Sequence, residues 1–384
     1  MKHKTRILVP YASYGSGHKT TAEYIKRYFE EMGEYECLAI DLVPYLTRFF
    51  GTISQKASDT LMTKMPDIWT VLYHLSNNKV GAALFEDFNV YLLKREDLKK
   101  KIEDFSPELT IATHFLGSDL ILSYNKEGWT DSKVVTIVTD YYTHAFWKRS
   151  LKADAIILSD NSEKKRLIQE GFSKKQLFVT GIPIPEDYGE GRDVLKIKRR
   201  FQVDNGKKTV LFFGGGGNGA MANLKYLKAL MKAGYDCNVI FVAGRNEKAK
   251  EQAEDYKKIY HGTNILVMGF VQPEDLYAIS DFVVTKPGGL QITECLKVGK
   301  PMLLVDGNGG QEVENRKFLL ENGYARAVKW RKTSSFKRQF KEMLENEKVL
   351  TGMQKKIAGR SQHTAIKELV KIVEELLSEP REVR

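Results

Sequence analysis

At 384 residues with 42% apolar side chains, the chain is long enough for two domains with separate cores and has the composition of a soluble globular protein. A formal charge of +11 favours an anionic partner, whether nucleic acid, an anionic lipid surface or a phosphorylated substrate, without choosing among them. The three cysteines, Cys37, Cys237 and Cys295, lack C-x-x-C spacing and so exclude a disulfide framework and a zinc knuckle, and no signal-peptide h-region or run of about 18 apolar residues is present.

That usage fits a reducing cytosol, with any membrane contact made at the surface. In chain order, Arg6 to Ser13 reads as a strand, and Lys19 to Met32 as a helix with Ala22, Ile25, Phe29 and Met32 on one face. The loop between them ends in Gly15-Ser-Gly-His18, at the strand end where open α/β sheets bind ligands. Gly15 and Gly17 do not satisfy G-x-G-x-x-G, because Thr20 takes the third glycine position, and Walker A spacing is absent too. His18, carried by this loop, suits proton abstraction near neutral pH; capping the helix or facing water would use it equally well.

Further strands are expected at Cys37 to Leu42, Leu109 to Thr113, Lys133 to Thr139, Asp154 to Ser159 and Gln176 to Thr180. Several are apolar throughout, as in a parallel sheet covered on both faces, so the first domain reads as doubly wound α/β. Pro44 to Lys101 breaks the alternation. Phe49, Phe50, Trp69 and other large apolar residues are spread there among lysines and arginines. A helical insertion packed on the first domain explains this segment; so does a basic amphipathic surface that settles on an anionic bilayer. After the Lys133 strand, Asp140, His144 and Trp147 place polar groups beside a large ring, which suits an acceptor pocket or simply the edge of a core.

Between Pro185 and Gln202 the chain turns polar and charged and reads as a linker. A second series follows, with strands at Lys208 to Phe213, Cys237 to Ala243, Asn264 to Met268, Asp281 to Thr285, Pro301 to Val305 and Tyr324 to Val328. Helices are expected at Ala220 to Lys232, Asn246 to Tyr260, Gln311 to Asn322 and at the C-terminus as far as Ser378. Three strand-to-helix loops stand out. Gly214-Gly-Gly-Gly-Asn-Gly-Ala220 offers backbone N–H groups as an anion cradle, with the Asn218 amide beside it. Lys286-Pro-Gly-Gly-Leu-Gln-Ile-Thr-Glu294 pairs glycines that let a phosphate approach with a glutamate able to accept from both hydroxyls of a ribose, although an ordinary turn would account for the Gly-Gly. Asp306-Gly-Asn-Gly-Gly-Gln-Glu-Val-Glu-Asn315 brings Gln311, Glu312 and Asn315 to a helix entrance, as sugar recognition or as capping.

Taken together, these motifs resemble the GT-B glycosyltransferases of family 28, which holds monogalactosyldiacylglycerol synthases, processive diacylglycerol glucosyltransferases and, more distantly, the transferase that adds N-acetylglucosamine to lipid I. The resemblance spans nearly the whole chain. It rests on Gly15-Ser-Gly-His18, Thr139-Asp-Tyr with His144, Thr180-Gly-Ile-Pro-Ile184, Thr285-Lys-Pro-Gly-Gly289 with Glu294, and Gly310-Gln-Glu-Val-Glu-Asn315. It implies an α/β fold of two Rossmann-like doubly wound domains facing across a cleft. Residues 1–185 would bind acceptor and membrane, with the insertion at about 44–101; 186–200 would link, 201–360 would bind a nucleotide sugar, and 361–384 would form a helix packing back toward the first domain.

The implied donor is UDP-glucose or UDP-galactose and the implied acceptor diacylglycerol or glycosyl-diacylglycerol, with the enzyme peripheral on the inner face of the cell membrane. Carried over by position, Glu294 would hold the ribose; Gly288 and Gly289 would approach the diphosphate, with Lys286, Gly17, Gly216, Asn218 and Gly219 assisting; Phe270 and Val271 would flank the uracil. Gln311, Glu312 and Asn315 would read the sugar, and His18 or Asp140 would be the base. His144, Trp147, Trp69, Phe49 and Phe50 would face acceptor or membrane. Plant-type relatives carry a glycine-richer first loop and a different Lys-x-Gly-Pro-Gly arrangement, which favours glucose over galactose. No Asp-x-Asp occurs, so no metal or other cofactor is expected, and no nucleic-acid recognition module accompanies the charge. The rival readings are transfer to another lipid-linked acceptor, a UDP-sugar epimerase, and a non-catalytic UDP-sugar sensor at the membrane surface.

Overall fold

The computed structural model describes residues 3–13, 16–50, 90, 91, 93, 95–147, 150–215, 219–307, 309–360 and 365–379. They form two compact units. Of the described residues, one unit takes in those before Asp187 together with 365–379, and the other takes in those from Asp187 to Arg360.

The first unit is built on strands β1 Thr5–Tyr11, β2 Tyr35–Asp41, β3 Leu109–Ala112, β4 Lys133–Ile137, β5 Ala155–Leu158 and β6 Leu177–Val179, all parallel in the order β2-β1-β3-β4-β5-β6. Because successive strand side chains point to opposite faces, each apolar run supplies two cores. Leu8, Val134 and Ile156 pack with Leu116, Leu120 and Tyr124 of the helix Phe115–Lys126. Ile7, Val9, Val135 and Ile157 pack instead with Ala22, Ile25 and Phe29 of the helix Ser16–Glu31. Ile366, Leu369 and Val373 of the C-terminal helix Ala365–Ser378 join that second cluster, so the end of the chain completes the core of its beginning.

The second unit holds β7 Thr209–Phe213, β8 Asn238–Val242, β9 Asn264–Met268, β10 Phe282–Thr285, β11 Met302–Leu304 and β12 Ala325–Ala327, again all parallel, in the order β12-β11-β10-β7-β8-β9. Its main core joins Val210, Phe212, Phe241, Phe282 and Val284 to Leu227 and Leu230 on one helix and Phe336 and Phe340 on another. In both sheets the first strand has its sequence neighbour on one side and a later strand on the other, β3 beside β1 and β10 beside β7. Chain direction diverges there, which leaves a crevice at the carboxyl ends of those strands.

The structure departs from the sequence reading in three helices. The first helix begins at Ser16 and ends before Met32, which is 38% exposed rather than part of the buried stripe. The charged stretch after Pro185 contains a helix, Val194–Arg200, started by Asp193 accepting from the Lys196 N–H at 2.9 Å. Arg192 and Arg200 both pair with Asp275, which fastens this stretch to the second unit. The helix Phe115–Lys126 gave no periodic signal because it is covered nearly all round. Much of the expected insertion, including Trp69, lies outside the described residues, as do the side chains of Phe49 and Phe50, whose backbone ends the helix Val43–Phe50. Among the described residues no helix is long and apolar enough to cross a membrane.

Gly117 explains how the covered helix comes so close to β1, since a Cβ there would stand 2.7 Å from Cγ of Pro10. Gly117→Ala is expected to destabilise the protein by about 1–3 kcal/mol despite alanine's better helix propensity. A thermal melt equal to or above wild type would show that the helix can move off the sheet at no cost.

Candidate active site

In the first unit the crevice gathers the ends of β1, β3 and β4. His18 lies in the first turn of the helix Ser16–Glu31 rather than on a loose loop, and its ring is fixed from two strands. Nδ1 is 2.8 Å from the carbonyl oxygen of Thr113 and 2.9 Å from Oγ1 of Thr139, while the Thr113 hydroxyl donates to the His18 carbonyl at 3.0 Å. A carbonyl oxygen can only accept, so the hydrogen sits on Nδ1 and the lone pair on Nε2. Nε2 makes no hydrogen bond among the described residues. Burial pushes the pKa of His18 below the ordinary histidine value, against the opposing pull of the Thr113 carbonyl, so the ring is neutral at pH 7. His114 meets His18 edge-on at 4.7 Å and is held by the Leu116 N–H donating to its Nδ1 at 3.3 Å.

Asp140 stands half-buried just after Thr139, with its carbonyl accepting from the Ser159 hydroxyl at 2.6 Å. The next residues are clamped by the helix Asn161–Gln169. Glu163 accepts from the Thr143 N–H at 2.6 Å, Arg166 donates to the Thr143 carbonyl at 2.9 Å, and the Arg166 guanidinium lies 4.4 Å from the centre of the Tyr142 ring. Thr113, His114, Glu163 and Arg166 were not singled out from the sequence. Only the i,i+3 spacing of Glu163 and Arg166 hinted at a pair.

Two expectations for this unit are corrected. Trp147 is only 5% exposed and belongs to the core, packing on Phe115 at 5.8 Å, so it offers no surface to a membrane. His144 is buried too, and its Nδ1 accepts from the Phe146 N–H at 3.1 Å, which holds the turn Ala145–Trp147.

In the second unit the crevice lies at β7 and β10. The helix Gly289–Lys297 starts there with Gly288 as its N-cap and no side chain capping its first N–H groups. A Cβ on Gly288 would meet nothing within 4 Å, so there is room on that side for a ligand. The loop is rigid from behind: the buried Asn315 donates to the Pro287 carbonyl at 3.1 Å, and Lys286 pairs with Glu312. Asn315 and Glu312 therefore support the loop, and of the three residues expected to read a sugar only Gln311 is half-exposed. Asp306 secures the same loop cluster by accepting from Lys225 at 2.7 Å, Tyr226 at 2.6 Å and the Arg331 N–H at 3.0 Å.

Glu294, one turn into the helix, is 6% exposed. Its Oε2 accepts from the Tyr277 hydroxyl at 3.0 Å and lies near the Gln291 amide. Burial pushes its carboxyl up to about 8, against the Tyr277 and Tyr188 hydroxyls that favour the charged form. At the end of β7, Gly214 is pinned by Asn223, whose amide donates to its carbonyl at 2.8 Å, and a Cβ there would crowd Phe241 at 3.0 Å. Gly215 has φ +102°. Gly216 and Asn218 lie outside the described residues, and Gly219 opens the helix Gly219–Ala233. Phe270, 64% exposed after β9, carries the Arg245 guanidinium 4.8 Å from its ring centre, with Val271 half-buried beside it. No group of three or more potential metal ligands occurs among the described residues.

Residues 18–184 match the monogalactosyldiacylglycerol synthase family and residues 209–370 the C-terminal domain of glycosyltransferase family 28. A processive diacylglycerol beta-glucosyltransferase from Bacillus licheniformis is 26% identical over 360 residues, which cover 93% of this chain and 91% of that protein. Among solved structures, MurG from Acinetobacter baumannii is similar with a TM-score of 0.63 at 14% identity, over 97% of this chain and 99% of that one. UDP-GlcNAc 2-epimerase from Neisseria meningitidis, solved with UDP-GlcNAc, follows with a TM-score of 0.58 at 12% identity, over 97% and 100%. These two likenesses establish a shared two-domain α/β fold.

Proposed function

Because this chain belongs to the glycosyltransferase family of monogalactosyldiacylglycerol synthases and processive diacylglycerol glucosyltransferases, we propose that it moves glucose from UDP-glucose to the hydroxyl of diacylglycerol, and onward to glycosyl-diacylglycerol. One observation carries the donor half: an uncapped helix N-terminus at Gly288 and a buried carboxylate at Glu294, on one helix at the crevice of the second sheet. The first suits a diphosphate and the second a ribose diol.

The transfer inverts the anomeric carbon. Nε2 of His18 takes the proton from the acceptor hydroxyl, the acceptor oxygen forms its bond to C1, and the C1–O bond to UDP breaks on the opposite face. Charge gathering on the leaving diphosphate is met by the N–H groups of Gly289 and Leu290, in the first turn of that helix, and by the Gly214 loop. Asp140 is the second candidate for the base. We read the protein as a peripheral enzyme of the inner membrane face, where a water-soluble donor and a bilayer acceptor meet.

Mass spectrometry of the lipids formed from diacylglycerol with UDP-glucose or UDP-galactose tests this reading, and hexosyl-diacylglycerol from UDP-glucose is the expected product. A sugar epimerised without lipid, or transfer to a lipid-linked pyrophosphate acceptor alone, would overturn it. Since no Asp-x-Asp is present, the rate is expected to survive EDTA. Loss on chelation with recovery on adding a divalent ion would contradict that.

A further inference from the structure

Glu294 is one member of a buried polar cluster that Gln291 and Cys295 of its own helix form with Tyr277 and Tyr188 of the second unit. Tyr277, on the helix Glu274–Ile279, is fully buried. Its ring packs on Tyr188 at 6.0 Å and on Phe213, the last residue of β7, at 5.7 Å. Its hydroxyl donates to Oε2 of Glu294 at 3.0 Å, accepts from the Gln291 amide, and has the Cys295 thiol at 3.9 Å. The Tyr277 and Gln291 contacts thus converge on a single carboxylate oxygen, Oε2, and through Phe213 the same ring abuts the strand that ends in the glycine loop.

We propose that Tyr277 is a positioning residue for the donor: with Gln291 it holds Oε2 of Glu294 so that the carboxylate turns Oε1 to the ribose hydroxyls, and donor binding expels a proton from this cluster. The proposal rests on the reading of Glu294 as the ribose acceptor. The groups acting on Glu294 are the Tyr277 and Tyr188 hydroxyls and the carboxylate of Glu274, none of them a cation, and burial keeps its carboxyl at about 8. The neighbouring Cys295 thiol is itself pushed up by burial and does not supply a charge. A protonated carboxyl can offer a diol fewer acceptor sites than a carboxylate, so two ribose O–H donors favour the ionised form. Proton release is the consequence.

Calorimetry with UDP-glucose tests this, because its diphosphate has no group titrating between pH 6 and 8.5. Titrations at pH 7 in buffers of different ionisation enthalpy are expected to show release of most of one proton, and affinity is expected to fall as pH drops below about 8, approaching tenfold per pH unit. Tyr277→Phe keeps the ring packing and removes the hydroxyl. It is expected to weaken UDP-glucose binding roughly tenfold and to move the midpoint of the pH profile upward, with KM for the donor changing more than kcat. Gln291→Met should shift both in the same direction by less, and it stands in if the Tyr277 variant melts early.

Glu294→Gln separates the two ideas. If it leaves UDP-glucose affinity unchanged, the ribose reading fails. If it weakens binding and abolishes proton release while Tyr277→Phe keeps the wild-type affinity and midpoint, Tyr277 is structural only and the proposal is overturned. Wild-type binding with no proton exchanged between pH 6 and 8.5 would overturn it as well.

Discussion

His18→Ala is expected to lower kcat by about a hundredfold to ten-thousandfold while leaving UDP-glucose affinity within about twofold. The reason lies in how the ring is held. With Nδ1 donating to the Thr113 carbonyl at 2.8 Å, the basic nitrogen is Nε2, and burial keeps the ring unprotonated at neutral pH. The imidazolium form cannot accept a proton, so kcat at saturating UDP-glucose should rise with pH through the His18 pKa and then level off. Since that pKa lies below the ordinary value of 6.5, the plateau should already be reached at pH 7. Asp140 makes a contrasting prediction. Were it the base, Asp140→Asn would show the large loss and His18→Ala would be mild.

Glu294→Gln is expected to make the protein more stable and nearly unable to hold its donor. Burial raises the carboxyl from 4.5 to about 8, so its favourable contribution to folding is fully present below pH 4.5 and is lost as pH rises toward 8. Above that, wild type carries an ionised carboxylate with no cation acting on it. Glutamine keeps an acceptor for the Tyr277 hydroxyl without the charge. The melting temperature of the variant should therefore match wild type near pH 4.5, diverge upward through pH 8 and then run parallel. The gain is on the order of a few kcal/mol, and the loss of UDP-glucose affinity roughly a hundredfold. Equal melting curves at pH 8.5 would show that Glu294 is solvated or paired there. A protein that retains so costly a group fits the trade of stability for function seen at binding sites.

The sheets were legible because runs such as Ile7 to Pro10 and Val210 to Phe213 are apolar on both faces, which a doubly covered parallel strand requires. The glycine loop after β7 was legible for a related reason: the positive φ of Gly215 and the Phe241 ring against Gly214 both call for glycine. Less legible were residues whose type fits two jobs. Asn315 and Glu312 have the chemistry of sugar readers and turned out to brace the loop at Pro287 and Lys286. Trp147 and His144 have the chemistry of an acceptor pocket and are packed into the first core.

The sequence by itself determined two parallel α/β halves, the strand ends that carry glycine loops, and family membership, since all three depend on local composition and the order of short motifs. Only the tertiary structure decided that Ile366, Leu369 and Val373 are the residues by which the C-terminal helix enters the first core, that Thr113 and Thr139 fix the tautomer of His18, and that Tyr277 and Gln291 share one oxygen of Glu294. Thr113 is 95 positions from His18 and Thr139 is 121. Contacts at such separations leave no periodic trace in the chain, because they come into being only when β1, β3 and β4 lie side by side in one sheet.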